Sequence, residues 1–384
     1  MSSYTDWTAF RRELHRHPEV SEQEATTAQR VADRVLAHEP DQLWSAVGGH
    51  GLVALYRGAA PGPTVLVRAE LDALPIEERF EGERPHASQH PGRSHACGHD
   101  GHATLLCGLA ERLARERPPR GNVLLLWQPA EENGIGAAAV LADPRWAAEI
   151  PEPDEVYALH NIPGSPRGLV LIRPGSFTAS VRSLVVHWRG KTSHAAEPEH
   201  GINPAPAIAE LTLELLGLSQ PEMARPDFSV VTPVHVALGE VAYGVSAGEG
   251  TARFTIRAWD EPQMNLLVRS AERMVKRLTK KHGLEARTEW VEVFHANQNA
   301  PGPTRAVEQA AKAAGLGCTR AAFPFKWGED FGLFTQRYAG AMFGLGAGEE
   351  VPALHNPDYD FPDELLPEGI AVFEALVRER LEHV

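Results

Sequence analysis

The sequence has little cysteine and no excess of positive charge. It contains three cysteines in 384 residues, Cys97, Cys107 and Cys318, which is too few for a disulfide scaffold. Acidic residues outnumber basic ones by 51 to 37, and the formal net charge is −14. Because nucleic-acid-binding proteins usually carry a basic patch, this balance argues against a nucleic-acid partner.

Long hydrophobic runs are also missing. No apolar run approaches the roughly 20 residues needed to cross a bilayer, so we expect no membrane partner. The first residues, MSSYTDWTAF, lack the basic segment and apolar run of a signal peptide. We therefore expect a cytoplasmic protein, in a reduced setting that would keep the thiol of Cys97 available as a ligand.

The first part of the chain alternates short apolar strands with helices. Residues 64–67, 123–127 and 156–159 predict buried strands, and residues 101–113 and 134–141 predict helices. This alternation predicts an α/β fold with a mainly parallel sheet. Carboxylates or a histidine follow each predicted strand. In open α/β sheets ligands bind beyond the carboxyl ends of the strands, so these side chains predict one shared site.

The middle of the chain has a different pattern. Residues 180–297 predict an inserted α+β domain in the ferredoxin-like order β-α-β-β-α-β. One of its strands alternates strictly, with Ala252, Phe254, Ile256 and Ala258 expected on a single buried face. At 384 residues the chain is long enough for two domains.

Metal-binding side chains are concentrated in residues 95–102, HACGHDGH. Thiol and imidazole groups together favour transition metals over magnesium or calcium. The candidate ligands lie in this stretch or near the ends of the predicted strands: Cys97, His99, Glu132, His160 and His355. Five protein ligands exceed the four of a closed zinc site and suit two ions that share a bridging ligand. Zinc or manganese is expected first, and cobalt or nickel fits the same ligands.

Two adjacent carboxylates, Glu131 and Glu132, follow the second predicted strand. Neighbouring side chains diverge, so one can bind metal while the other acts as general base for a water molecule. The structural alternative is a solvated helix start.

Several motifs resemble those of a dinuclear-metal amidohydrolase family that includes aminoacylases, hippurate hydrolases and auxin–amino-acid conjugate hydrolases. The similar segments span nearly the whole chain: RRELHRHPEVSEQE, VRAELDALPIEE, HACGHDGHA, WQPAEENGIGAAAVL, ALHNIPG, GKTSHAAEPEHGINP, GEDFGLF and ALHNPDYDF. The resemblance implies metal ligands at Cys97, His99, Glu132, His160 and His355. It also implies that Glu131 is the general base and that His194 stabilises the oxyanion, often from the neighbouring subunit of a dimer.

The same resemblance implies an α/β catalytic domain with an inserted lid. We expect residues 1–179 and 298–384 to form the catalytic metal-binding domain. Residues 180–297 would form the lid and dimerisation domain, because its alternating strands offer an edge for pairing in a homodimer.

The chain departs from the family pattern at two places. Glu70 stands where the family has the first aspartate of D-x-D-A-L-P, while Asp72 keeps the second. Residues 244–247 read Gly-Val-Ser-Ala in place of N-V-I-P, so an asparagine that contacts substrate in relatives is missing. Arg257 matches the arginine that relatives use for the substrate carboxylate. The substrate's C-terminal side is therefore expected to differ from a simple amino acid.

Each candidate also has a structural interpretation. Cys97 could be a small buried apolar residue, His160 a core histidine and His355 an ordinary surface histidine. His194 could cap a turn, and Arg257 could belong to a surface ion pair.

The sequence as a whole predicts a metal-dependent hydrolase of amide bonds in N-acyl amino acids or related small acyl-amides. Three alternatives stay open at this point. One is a dipeptidase or carboxypeptidase, the second is a hydrolase of another C–N bond, and the third is a non-catalytic metal-binding protein.

Overall fold

The computed structural model describes residues 4–382, which divide into two compact units. Within these residues, unit 1 comprises the chain up to Phe177, then Asn297–Ala322, and everything from Asp330 onward. Unit 2 comprises Thr178–Ala296 and Phe323–Glu329.

The α-helices of the described residues are α1 (Tyr4–Arg16), α2 (Ala25–Leu36), α3 (His99–Arg115), α4 (Gly136–Ala142), α5 (Pro144–Ala148), α6 (Ala205–Leu216), α7 (Glu261–Lys281), α8 (Pro301–Ala313), α9 (Gly332–Arg337) and α10 (Leu365–Glu382). The strands are β1 (Gln42–Val47), β2 (Gly51–Arg57), β3 (Thr64–Glu70), β4 (Asn122–Gln128), β5 (Glu155–Pro163), β6 (Val170–Ile172), β7 (Gly175–Ser176), β8 (Ser180–Arg189), β9 (Ser193–His194), β10 (Ser229–Leu238), β11 (Val245–Ser246), β12 (Glu249–Ala258), β13 (Glu285–Phe294), β14 (Gln298–Asn299), β15 (Cys318–Arg320) and β16 (Ala339–Gly348).

Unit 1 is built on an eight-stranded mixed sheet in the order β1-β2-β4-β3-β5-β16-β6-β15. Its centre is parallel, because β3 pairs in parallel with β4 and β5, and β5 pairs in parallel with β16. Strands β1, β2 and β6 add antiparallel pairings toward the edges. The predicted α/β class with a mainly parallel sheet is therefore confirmed.

The central strands are buried on both faces, which explains their nearly continuous apolar sequences. Side chains of α1, α2, α3, α8 and α10 form one apolar cluster with one face of the sheet. Helices α4 and α9 contact strands β4 and β16 respectively. This layering holds the carboxyl ends of the central strands in fixed positions.

Unit 2 contains a four-stranded antiparallel sheet in the order β10-β12-β8-β13. Its main elements follow the chain order β8-α6-β10-β12-α7-β13, which is β-α-β-β-α-β. Strand β12 buries Ala252, Phe254, Ile256 and Ala258 against a core that includes side chains of α6 and α7. The strict alternation in this strand's sequence thus follows from a sheet covered by helices on one face.

The segment Phe323–Glu329, which the sequence places in the first domain, groups with unit 2. The backbone N–H of Ala179 donates to the carbonyl of Phe325 at 2.9 Å. Nη1 of Arg257 donates to the carbonyl of Lys326 at 2.6 Å. These hydrogen bonds join residues far apart in sequence, so local sequence patterns carry no sign of them.

Several predicted boundaries change. The strand predicted at residues 156–159 begins one residue earlier and continues to Pro163, so that His160 lies within it. Ser21 and Glu24 have the spacing of a capping box, but α2 has no side-chain cap hydrogen bond. The hydroxyl of Ser21 donates to Asp72 instead, at 2.8 Å. Among helices within residues 4–382, none has both the length and the apolar character needed to cross a membrane.

Candidate active site

Polar side chains from the central strands of unit 1 meet at one edge of the sheet. Asp72 follows β3, Glu131 and Glu132 follow β4, His160 lies within β5, and His355 follows β16. Because these strands are parallel neighbours, their carboxyl ends lie along the same edge. The side chains that follow the three predicted strands therefore lie along one edge within unit 1, and His355, after β16, joins them.

The five candidate ligands form two overlapping groups. Ligand atoms of Cys97, His99 and His160 lie within 4.8 Å of one another, and so do those of Cys97, Glu132 and His355. Cys97 belongs to both groups, which we call the His160 triad and the His355 triad. Two adjacent triads with a shared residue are the arrangement expected for two ions with a bridging ligand.

The distances between ligand atoms fit a shared cation. Sγ of Cys97 lies 3.6 Å from Nε2 of His160. Oε1 of Glu132 lies 3.8 Å from Nε2 of His99, and its Oε2 lies 3.7 Å from Nε2 of His355. Atoms each about 2.0–2.3 Å from one ion in tetrahedral geometry would lie roughly 3.3–3.8 Å apart.

Backbone carbonyls orient both buried imidazoles. Nδ1 of His99 donates to the carbonyl of Asp72, and Nδ1 of His160 donates to the carbonyl of Asn161, each at 2.9 Å. These bonds leave Nε2 of both rings to face the triads, as in many metal-binding histidines. Nε2 of His99 is buried and has no hydrogen-bond partner among the described residues. A buried nitrogen without a partner is costly unless an ion binds it.

The electrostatic field of the site is negative. Burial acts to lower the pKa of His99, but the hydrogen bond to Asp72 and the charges of Glu70 and Glu132 raise it to about 10. Burial and the charge of Glu132 hold the pKa of the Cys97 thiol well above its usual range. Both shifts reflect carboxylate charge that a divalent cation would neutralise. The residues present therefore fit a metal centre.

The two triads differ in their surroundings. Burial and the charge of His102 lower the pKa of His160 to about 3, so this imidazole stays neutral and able to bind metal. His355 is more open, with a side chain that is 51% exposed. Its backbone has a φ of +65°, a left-handed conformation, and its N–H donates to the carbonyl of Ala96 at 2.8 Å. Strain of this kind is found at functional sites.

Glu131 lies beside the triads without belonging to either. Its Oε2 is 3.9 Å from Nε2 of His99, and its Oε1 accepts a long hydrogen bond of 3.4 Å from the backbone N–H of Asp330. The carboxylate of Asp330 is held in turn by Gln128 and by the backbone N–H of Ala137. The two adjacent glutamates do not diverge as expected. Their carboxylates approach the same atom, Nε2 of His99, at 3.9 and 3.8 Å, and Glu132 also belongs to the His355 triad.

A buried chain of charged and polar groups under the site was not predicted. Arg68 pairs with Glu70, whose Oε2 accepts from Nδ1 of His102 at 2.7 Å, and Nε2 of His102 lies against Asn161. Arg68 also donates to Asp330 at 2.7 Å. The sequence does contain a signal for these contacts, because Arg68 and Glu70 lie near the end of an otherwise apolar strand. Unpaired charges are rarely buried, so two charged residues in a buried strand indicate that each has a partner.

Asp72 holds the ligands from behind. Its Oδ2 accepts from the hydroxyl of Ser21 and from the backbone N–H of Glu132, at 2.8 and 2.9 Å. Its Oδ1 lies 3.4 Å from Nδ1 of His99. These contacts orient His99 of the His160 triad and Glu132 of the His355 triad.

Two predicted site residues lie in unit 2. His194 is exposed on β9, which pairs with β11 so that His194 lies opposite Val245. Nδ1 of His194 accepts from the backbone N–H of Ala196 at 3.0 Å, which leaves the ring proton on the exposed Nε2. Arg257 is half-buried, and burial lowers its pKa.

Comparisons with known proteins agree with this geometry. Residues 66–379 match the family model of peptidase family M20/M25/M40. The chain is 32% identical over 358 residues to an N-acetyldiaminopimelate deacetylase of Bacillus velezensis. This alignment covers 92% of this chain and 93% of the relative. It is 28% identical over 376 residues to an N-acetylcysteine deacetylase of Bacillus subtilis, covering 98% and 97% of the two chains.

A solved structure has the same fold along its whole length. It is a dinuclear metal-binding peptidase of the M20 family from Bacillus subtilis, with a TM-score of 0.83 and 26% sequence identity. The match covers 99% of each chain.

Gly98, between Cys97 and His99, is expected to be indispensable. Its φ is +93°, and a Cβ there would lie 2.8 Å from Oδ1 of Asn161. Gly98→Ala should lower the free energy of unfolding by about 1–3 kcal/mol, measured by denaturant titration, and should reduce zinc binding. Gly302→Ala is the control, because a Cβ there meets nothing within 4 Å. Equal stability of the two variants would contradict this prediction.

Proposed function

Because the chain belongs to peptidase family M20/M25/M40, we propose that it is a metal-dependent hydrolase of amide bonds in N-acyl amino acids or related small acyl-amides. The family expected from the sequence motifs is confirmed, and the deacetylase names of the relatives support the amidohydrolase class. The observation that carries the proposal is the pair of triads sharing Cys97, with the carboxylate of Glu131 beside them.

We assign five residues to hold two divalent ions: Cys97, His99, Glu132, His160 and His355. Their mixed sulfur, nitrogen and oxygen ligands suit zinc or manganese, with cobalt and nickel as alternatives. When bound, such a pair of ions polarises the amide carbonyl and makes water a better nucleophile. A cytoplasmic location would keep the Cys97 thiol reduced and is proposed on that ground.

Glu131 is proposed as the general base. Its Oε2 lies 3.9 Å from Nε2 of His99, beside the triads, and we propose that this oxygen accepts a proton from the attacking water. The same oxygen then delivers that proton to the nitrogen of the leaving amine. Because Glu131 is only 6% exposed, bulk water has little access to compete for this proton.

His194 is proposed to stabilise the oxyanion. Its Nε2–H is a hydrogen-bond donor, because Nδ1 already accepts from the backbone of Ala196. We further propose that residues 180–297 act as the lid and dimerisation domain, with residues 1–179 and 298–384 as the catalytic domain, and that His194 serves the neighbouring subunit.

Arg257 is proposed to bind a carboxylate of the substrate. Its guanidinium donates to the carbonyl of Lys326, and among the described residues no carboxylate forms an ion pair with it. The charge of Glu292 acts on Arg257 without forming an ion pair, and we propose that the guanidinium binds a substrate carboxylate. Gly244 stands where relatives have an asparagine, and a Cβ on Gly244 would meet nothing within 4 Å. Because the asparagine is missing, we propose that the C-terminal side of the substrate differs from a simple amino acid.

The proposed homodimer would form through strand β10. This strand is at the edge of the unit 2 sheet and exposes Val234, Val236 and Leu238 at alternate positions. The loop that follows exposes Val241 and Tyr243, at 94% and 98%. An apolar edge strand left open invites pairing with another strand, and a second copy of this chain supplies one.

The proposed reaction is tested with a panel of N-acetyl amino acids, larger N-acyl amino acids, N-carbamoyl amino acids and dipeptides. We expect metal-dependent amine release from N-acyl amino acids, lost after chelation and restored by zinc or manganese. Preference for dipeptides would favour a peptidase, as the name of the solved relative suggests for that protein. Release from N-carbamoyl compounds alone would replace the proposal with hydrolysis of another C–N bond.

Glu131→Gln should lower kcat by roughly 10²–10⁴-fold, because the amide cannot accept the proton from water. Metal content, measured by atomic absorption, should stay at the wild-type value, since Glu131 is not assigned as a ligand. The control is Glu349→Gln, an exposed carboxylate on the surface of unit 1. Retained activity in Glu131→Gln would refute the assigned base.

Val236→Lys should convert the dimer to a monomer, because an edge lysine blocks strand pairing. Size-exclusion chromatography with light scattering gives the mass directly. Leu213→Lys is the matched control, since Leu213 is 71% exposed and belongs to helix α6 and not to the edge strand. A monomeric wild-type protein, or a dimeric Val236→Lys variant, would show that β10 is not the interface.

A further inference from the structure

Helix α1 brings buried charges into unit 1 that the proposed reaction does not use. Arg11 is 1% exposed and His15 is fully buried. Both belong to the N-terminal motif RRELHRHPEVSEQE, which has no part in the proposed reaction. We propose that Arg11 is a positioning residue that fixes the His355 segment relative to His99, an inference that rests on the proposed metal centre.

The guanidinium of Arg11 contacts three carboxylates from two parts of the chain. Nη1 lies 3.2 Å from Oδ2 of Asp100 and 2.7 Å from Oδ1 of Asp360. Nε and Nη2 both lie 2.8 Å from Oδ1 of Asp363. Asp100 directly follows His99, while Asp360 and Asp363 follow His355 in the same segment. One side chain thus joins a ligand of the His160 triad to the segment that carries a ligand of the His355 triad.

The His355 segment needs such an anchor. Residues 355–358 are exposed, and the His355 backbone is in a left-handed conformation that is uncommon for residues other than glycine. The chain becomes buried again at Tyr359, next to Asp360. The position of the His355 ring therefore depends on how this buried end is held, besides the hydrogen bond from its own N–H to Ala96.

An arginine suits this position better than any other cation. Its planar fork presents donors in several directions, so it can bind Asp100, Asp360 and Asp363 at once, whereas a lysine ammonium is a single compact charge. Asp100 is further held by Nδ1 of His15 at 2.8 Å, so it stays paired when the contact to Asp360 is removed. Removing Asp360 breaks one of the two contacts between Arg11 and the His355 segment, together with the 2.7 Å contact of Asp360 to Nε2 of His86, and leaves Asp363 and Asp100 paired with Arg11.

The test is a zinc titration of the full-length chain by equilibrium dialysis. The wild-type protein should bind two zinc ions per chain. Asp360→Ala should weaken the second ion by roughly 10–100-fold, as is usual when a residue that orients a metal ligand is removed. Asp360→Asn keeps an oxygen that can accept from Nη1 and should restore most of that loss. Arg11→Lys should fall between the wild type and Asp360→Ala.

Asp358→Ala is the matched control, because Asp358 is exposed in the same segment and closer to His355 but does not contact Arg11. It should bind two ions as the wild type does. Circular dichroism of the metal-free variants separates lost binding from lost folding. Wild-type affinity in both Asp360→Ala and Arg11→Lys would overturn the inference, as would an equal loss in Asp358→Ala. A wild-type chain that binds fewer than two ions would overturn the metal centre itself.

Discussion

Several carboxylates lie close together at the edge of the central sheet, and each of them needs positive charge nearby. Buried arginine and histidine side chains around the site supply much of that charge. Burying an ionised carboxylate is costly unless it is paired or bound to a metal. Glu70 is paired with Arg68 and His102, and Asp100 with Arg11 and His15. Glu131 and Glu132 face the thiol and imidazoles of the two triads. A cation bound there would add positive charge at the place where the proposed chemistry occurs.

The same constraint explains three unusual backbone conformations at the site. Ala130, just before Glu131, and His355 both have positive φ, and Gly98 supplies a third such conformation between two ligands. A regular strand or helix would direct these side chains away from one another. The connections that follow the parallel strands accept the strain because layers of packed helices hold the strand ends. Rigid packing below the site thus allows irregular geometry within it.

Much of this could be predicted from the sequence where the determining interactions are local. The alternation in β12 follows from one covered face, and Cys97 and His99 are two residues apart in one turn. Arg11 and Asp100, or Ser21 and Asp72, meet only because separate elements pack together, so no window of sequence contains the pair. His160 lies inside its strand because the backbone pairing with β16 continues to Pro163, which apolar patterning could not show.

The two triads differ in their ligands and in their rigidity. This difference explains why a buried contact through Arg11 to the His355 segment would matter. The His160 triad combines sulfur with two buried imidazoles that backbone carbonyls hold in place. The His355 triad combines the same sulfur with a carboxylate and a half-exposed imidazole on a strained turn. An ion in the first position would be bound by a rigid, soft set of ligands, and an ion in the second by a harder and looser one. Since catalysis by a metal pair needs both ions at a fixed separation, the looser triad has to be held from outside, and Arg11 is placed to do so.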